Sequence, residues 1–152
     1  MRSAYRVLAL LIVLGVFVQA GSIAFGWFDV IHELEDGGTW TEDSEFKPGH
    51  VIHGIVGMMV MPLLALVLFI VSFFAKIRGG TKWAGFVLLA IVAQIALAFL
   101  AFGVAAIVGF LHGMNALVIV GLAITAARRS TVVDLVDAPR QAQDADVGAR
   151  AV

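Results

Sequence analysis

Residues 83–127 form an unbroken apolar stretch of 45 residues. As a single helix it would be about 67 Å long, twice the ~30 Å hydrocarbon core of a bilayer. The stretch therefore has to double back on itself. Gly103 and Gly109 mark the turn, which sets a third span near 83–103 and a fourth near 108–128. Two earlier apolar runs, about 5–28 and 49–75, supply the first and second spans. The chain is 61% hydrophobic and 14% charged, against ~25% charged for an ordinary soluble domain. The expected fold is all-α, a four-helix transmembrane bundle over residues 1–129 with a polar tail from 130 to 152.

Charge sets the orientation. Arg2, Arg6, Lys76, Arg78, Lys82, Arg128 and Arg129 all fall on one side of a four-span chain, and Lys47 alone falls on the other. Positive charge accumulates on the cytoplasmic side, so both termini are expected in the cytoplasm and the protein in the cell's inner (plasma) membrane. The loop from 29 to 48 is then external and acidic, with Asp29, Glu33, Glu35, Asp36, Glu42, Asp43 and Glu45. Arg2, Arg6, the apolar run and Val18-Gln19-Ala20 also resemble a signal peptide with its cleavage site. The run continues through Ile23, Phe25, Trp27 and Phe28, longer than a signal core, so a retained span is expected. The tail opens with Val132, Val133, Leu135 and Val136, which reads as a short amphipathic segment followed by disorder.

Several functions are excluded at this stage. The chain has no cysteine, so disulfides, iron–sulfur clusters, thiolate zinc sites and covalent c-type haem attachment are ruled out. Apart from Arg6 and Arg128 at their ends, the spans contain no Asp, Glu, Lys or Arg, which argues against ion-coupled transport through buried carboxylates. There is no nucleophile–base constellation, no phosphate loop and no sign of nucleic-acid binding. No enzymatic activity is read from the chain.

The two halves resemble each other. Span one carries Gln19 in VFVQAGSIAFG, and span three carries Gln94 in AIVAQIALAFL. Span two opens His53-Gly54-Ile55-Val56-Gly57, and span four opens His112-Gly113-Met114-Asn115-Ala116. Each half reads as a helical hairpin, and the two hairpins enter from the same side. His53 and His112 then lie in the same outer leaflet, on helices that face each other diagonally. One count conflicts with equal depth: His53 lies 23 residues before Lys76, and His112 only 16 before Arg128. A kink at Pro62 or helix tilt is expected to absorb the difference.

An ionisable side chain at membrane depth is a functional candidate by default. A pair of imidazoles in a helix bundle points to a shared metal, with haem iron the leading choice. His53 and His112 are the expected axial ligands of one b-type haem. Gly54, Gly57 and Gly113 would make room for the macrocycle. Gln19, Gln94 and Asn115 would orient the imidazoles or a cofactor edge, and otherwise act as hydrogen-bonding glue between helices. His50, one turn before His53, could meet a haem propionate or lie exposed at the interface. His32, among Glu33, Glu35 and Asp36, reads as a solvated loop residue. Met58, Met59 and Met61, with His50 and His53, and Met114 near His112, suggest copper as an alternative metal; as methionines they also serve as gap-fillers. Trp27 and Trp83 read as interface anchors.

These motifs resemble those of a family of small bacterial four-span membrane proteins. Its pattern is a Gln in spans one and three, His-x-x-x-Gly opening span two, and Leu-His-x-x-Asn-Ala opening span four. Here these are Gln19, Gln94, His53 to Gly57, and Leu111 to Ala116, within residues 5–128. More distantly the chain resembles the four-helix haem-binding halves of haem A synthase and other membrane b-type cytochromes. That resemblance implies haem ligation by His53 and His112. Haem A synthase has two such bundles and an additional carboxylate; this chain has one bundle and no carboxylate within a span. The expected function is a small membrane protein holding one b-type haem for electron transfer, haem sensing or haem handling. The alternatives are a cofactor-free accessory or assembly subunit of a larger membrane (respiratory) complex, and copper handling. The bilayer is the expected partner, with other membrane subunits or a second copy of the chain as further ones.

Overall fold

The apolar runs form four helices long and apolar enough to cross a membrane: α1 (Arg2–Glu35), α2 (Pro48–Phe74), α3 (Gly80–Gly103) and α4 (Val108–Arg150), the last so over Val108–Thr131 among the described residues. In this computed structural model the backbone is described for residues 1–150 and the side chains for residues 1–131. There is no strand among the described residues. The expected amphipathic start of the tail rests on side chains outside the described residues.

The ends of α3 and α4 fall where the glycines predict. The joining residues 104–107 are all apolar, and Val104 and Ile107 are three-quarters exposed. Such a turn suits the edge of a bilayer better than open water. α1, in contrast, continues beyond the expected end at residue 28, as far as Glu35. Val30 is buried on this extension, and Glu33 pairs with Lys47 across the loop. The helix stops where Gly37 takes a φ of +85°, a conformation glycine adopts without steric cost. The loop between α1 and α2 is correspondingly shorter, 36–47.

α2 is not uniform. Its first turns (Pro48–Ile55) and last turns (Met61–Phe74) are α-helical, and Val56–Val60 between them is a π turn in which the Met61 N–H reaches the Val56 carbonyl. Pro62 follows at once. Proline lacks the N–H a helix needs and its ring crowds the carbonyl four residues earlier. The disturbance expected at Pro62 is thus met by a wider turn just before it.

Around the bundle α1 packs on α2 and α4, and α3 packs on the same two. α1 and α3 form one diagonal, α2 and α4 the other. In lipid, apolar burial does not itself drive helices together, so close contact through small side chains matters more. The buried core is built that way, with Ala9, Ala65, Ala84, Ala123 and Ala126 between Tyr5, Ile12, Leu68, Val87 and Ile119. The Tyr5 hydroxyl donates to the Gly80 carbonyl at 2.8 Å and ties the start of α1 to the start of α3. Arg129 lies over the Trp83 ring, 5.5 Å from its centre.

This core fills only the half of the bundle nearest the N-terminus. Beyond Ile91 no residue of α3 is buried, and none of α4 is buried before Ile119. In the other half burial is confined to the α1–α2 seam, at Ser22, Gly26, Val30 and Gly49. His53 and His112 lie in this less buried half, each partly buried.

Candidate functional site

His53 and His112 project from the diagonal helices α2 and α4. Their ring centres lie 6.4 Å apart, with the planes inclined at 52°. The two rings are neighbours despite the unequal counts to the nearest basic residues. α4 continues past Arg128 and Arg129, and Ser130 is still buried.

Each ring is held in the same way. His53 Nδ1 is 3.0 Å from the Gln19 carbonyl oxygen on α1. His112 Nδ1 is 3.0 Å from the Gln94 carbonyl oxygen on α3. A carbonyl can only accept, so Nδ1 carries the proton on both rings and donates it. In the neutral imidazole this leaves the lone pair on Nε2. Neither Nε2 forms a hydrogen bond among the described residues. A ring oriented by Nδ1–H to a backbone carbonyl, with Nε2 uncommitted, is the arrangement a metal-ligating histidine commonly adopts.

The amides complete the frame. Gln19 Nε2 donates to the His53 carbonyl at 3.0 Å. The π turn begins three residues after His53 and rearranges the carbonyl pairing there, so an amide from α1 stabilises a helix turn that is irregular beside His53. Ser22 also donates to the Gln19 carbonyl, at 3.1 Å. In the other hairpin Asn115 Nδ2 donates to the Ala90 carbonyl at 2.8 Å and to Gln94 Oε1 at 2.7 Å. The expected roles of Gln19, Gln94 and Asn115 are therefore met in part by backbone. The histidines bond to main-chain carbonyls, a contact no residue type signals because every residue has a carbonyl.

A Cβ placed on Gly54 or on Gly113 would find no atom within 4 Å, so both flank open space beside their histidines. Gly57 sits against the Gln19 amide, 3.3 Å from where its Cβ would be. His50 lies elsewhere. Its ring packs edge-on to Trp27 at 5.1 Å and against Trp40 and Phe46, both at 6.1 Å, and neither ring nitrogen has a hydrogen-bond partner. This aromatic enclosure was not legible in the sequence, because Trp40 and Phe46 lie in an irregular loop.

The copper arrangement needs His50, His53 and a methionine sulfur to converge. Met58 and Met59 are exposed, Met61 is buried against Gly15, and Met114 is half-exposed. His32 is exposed, with Nδ1 3.6 Å from Glu35. No group of three or more His, Cys, Asp or Glu that could hold a metal ion occurs among the described residues. Bis-axial haem ligation needs only two. No family model, curated protein or solved structure matches this chain.

Proposed function

We propose that the protein binds one b-type haem in the outer half of the bundle, with His53 and His112 as axial ligands. One observation carries the reading: two imidazoles on diagonal helices, each with Nδ1 committed to a carbonyl, stand 6.4 Å apart. With metal–nitrogen bonds near 2 Å on opposite faces of one iron, imidazole centres fall about 6 Å apart. The lack of full burial in the outer half of α3 and α4 is consistent with a flat ligand between the hairpins. When bound, such a group would supply reversible one-electron chemistry. The chain's own residues would fix the rings and exclude water. The matched contacts at Gln19 and Gln94 favour descent from one repeated hairpin. The charge pattern favours cytoplasmic termini in the inner membrane, which puts the site toward the outer face.

The test is a reduced-minus-oxidised absorption spectrum of the protein expressed with haem supply and purified in mild detergent. A b-type band lost in both His53→Ala and His112→Ala is expected. A folded, colourless wild type would exclude the haem reading and leave an accessory subunit, whose polar groups only fix helix packing, as the better account.

A further inference from the structure

The two imidazoles are held alike, but the carbonyls that hold them do not carry the same load. A main-chain carbonyl has two lone pairs. Gln19 and Gln94 both lie inside α-helices, where each carbonyl accepts the N–H four residues on, from Ile23 and from Ala98. At Gln94 the His112 ring takes the second lone pair. At Gln19 the His53 ring and the Ser22 hydroxyl both donate, at 3.0 and 3.1 Å. Three donors therefore share two lone pairs on α1, against two donors on α3. The position that matches Ser22, three residues after Gln94, is Leu97, which has no donor. Ser22 is buried, and its backbone abuts Gly49 of α2, so its hydroxyl is shut away from water and bonds locally to the helix. The helices that carry the rings differ too. α2 has its π turn at Val56–Val60 just beyond His53, whereas α4 is regular through His112.

We propose that Ser22 makes the two histidines unequal, so that His53 is the weaker, replaceable ligand of the proposed haem and yields to a small neutral molecule of the carbon monoxide type. The inference rests on the haem reading. An Nδ1–H bond to a carbonyl moves electron density toward Nε2 and strengthens it as a metal donor. A carbonyl divided among three donors does this less well. His112 keeps the stronger hold, because its carbonyl is undivided and Gln94 is itself fixed by Asn115. The π turn favours the same ring as the one that gives way, since main-chain pairing beside it is already rearranged and such turns recur at functional sites. Ser22 acts only through the Gln19 carbonyl and His53, which makes it a positioning residue. The exchange replaces one lone-pair donor by another, with no change of oxidation state. Electron transfer alone needs both ligands to stay in place, so an unequal pair favours ligand sensing among the roles open to this site.

Two measurements on the full chain in detergent test this. The first needs no haem: proton NMR of the ring N–H groups in histidine-labelled apoprotein. The His53 Nδ1 proton should resonate upfield of the His112 one, as a weaker hydrogen bond requires. Ser22→Ala should move it downfield and leave His112 unchanged, and Ser22→Thr, which keeps the hydroxyl, should return it. The second is a carbon monoxide titration of the haem-loaded, reduced protein, followed by absorption. The wild type should bind the gas, and Ser22→Ala should bind it roughly tenfold more weakly, the lower end of the effect usual for groups supporting a metal ligand. Haem bound with equal ring shifts, or with gas affinity unchanged in Ser22→Ala, would overturn the proposal and leave the haem reading standing. A colourless wild type with unequal shifts would overturn the haem reading and the ligand role with it, and leave Ser22 only as a competitor for the Gln19 carbonyl.

Discussion

Each candidate ligand at the site is positioned by a single residue of the neighbouring helix. His112 depends on the Gln94 carbonyl, and Gln94 in turn is held by Asn115, which sits one turn after His112 on the same helix. Replacing Asn115 by leucine removes two donated bonds and leaves Gln94 Oε1 without its donor. The expected cost to helix packing is modest, ~0.6–2 kcal/mol. The effect on haem retention should be larger, about 10–100-fold, as is usual when a group supporting a metal ligand is removed. Titration of the apoprotein with haem, alongside a thermal melt, separates the two quantities. Equal retention in Asn115→Leu and wild type would show that the carbonyl bond alone orients the ring. Outside the membrane, Lys47 is the residue whose titration the fold perturbs. Its hydrogen bond to Glu33 raises its pKa above the ordinary 10.5, outweighing the smaller lowering by desolvation, with Asp29 adding to the rise. A raised lysine pKa contributes stability that is present below the ordinary value and lost as pH climbs through the folded one. Between pH 7 and 9 the Glu33–Lys47 tie between α1 and the loop should therefore hold. Amide exchange at Gly37 and Gly38, measured on either side of the lysine titration, would detect its release.

Among the helices the glycines divide into two kinds, and they predict opposite outcomes. A Cβ on Gly49 would run into the Gly26 nitrogen and the Ser22 carbonyl, both rigid backbone of α1. Gly49→Ala should therefore push α1 and α2 apart and cost about 1–3 kcal/mol, as overpacking does. Gly54→Ala and Gly113→Ala meet nothing, and alanine favours a helix interior by up to ~1 kcal/mol. Both should leave the apoprotein as stable or slightly more so. Thermal midpoints in detergent decide this, and a destabilised Gly54→Ala would place a neighbour where the structure shows space. The sequence could mark these glycines but not sort them, because a contact across two helices has no local signature. The same limit applies to the π turn at Val56–Val60. Pro62 announced a disturbance in α2 but not whether the helix would bend or widen. The extension of α1 to Glu35 was equally hidden. Val30 and the Glu33–Lys47 pair fix it, and both act through residues beyond the loop. What was legible was whatever length and apolarity alone decide: four spans, the doubling back near Gly103, and the placement of His53 and His112 near the start of alternate helices.

At the scale of the whole molecule, four crossings put both ends of the four-span bundle on one side, and the 36–47 loop lies on the opposite one. Seven of the eight basic residues up to Arg129 collect at the end where Tyr5, Gly80 and Arg129 meet, and the seven acidic residues from Asp29 to Glu45 lie at the other. On the proposed orientation the basic end is cytoplasmic, because cytoplasmic loops retain arginine and lysine. The absence of cysteine makes the prediction simple to test, since any thiol introduced is the only one present. Ser44→Cys, in the external loop, and Ser3→Cys, before the first span, should behave oppositely toward a membrane-impermeant maleimide applied to intact inner-membrane spheroplasts. Ser44→Cys should label at once, and Ser3→Cys only after the membrane is opened. The intact mass of the labelled Ser3→Cys chain also distinguishes a retained first span from a cleaved one, because cleavage after Ala20 would remove the thiol. Immediate labelling at both positions would contradict a membrane crossing by α1. Labelling of Ser3→Cys alone would invert the protein, bring the histidine pair to the cytoplasmic leaflet, and move any electron donor for the proposed haem to the opposite side of the membrane.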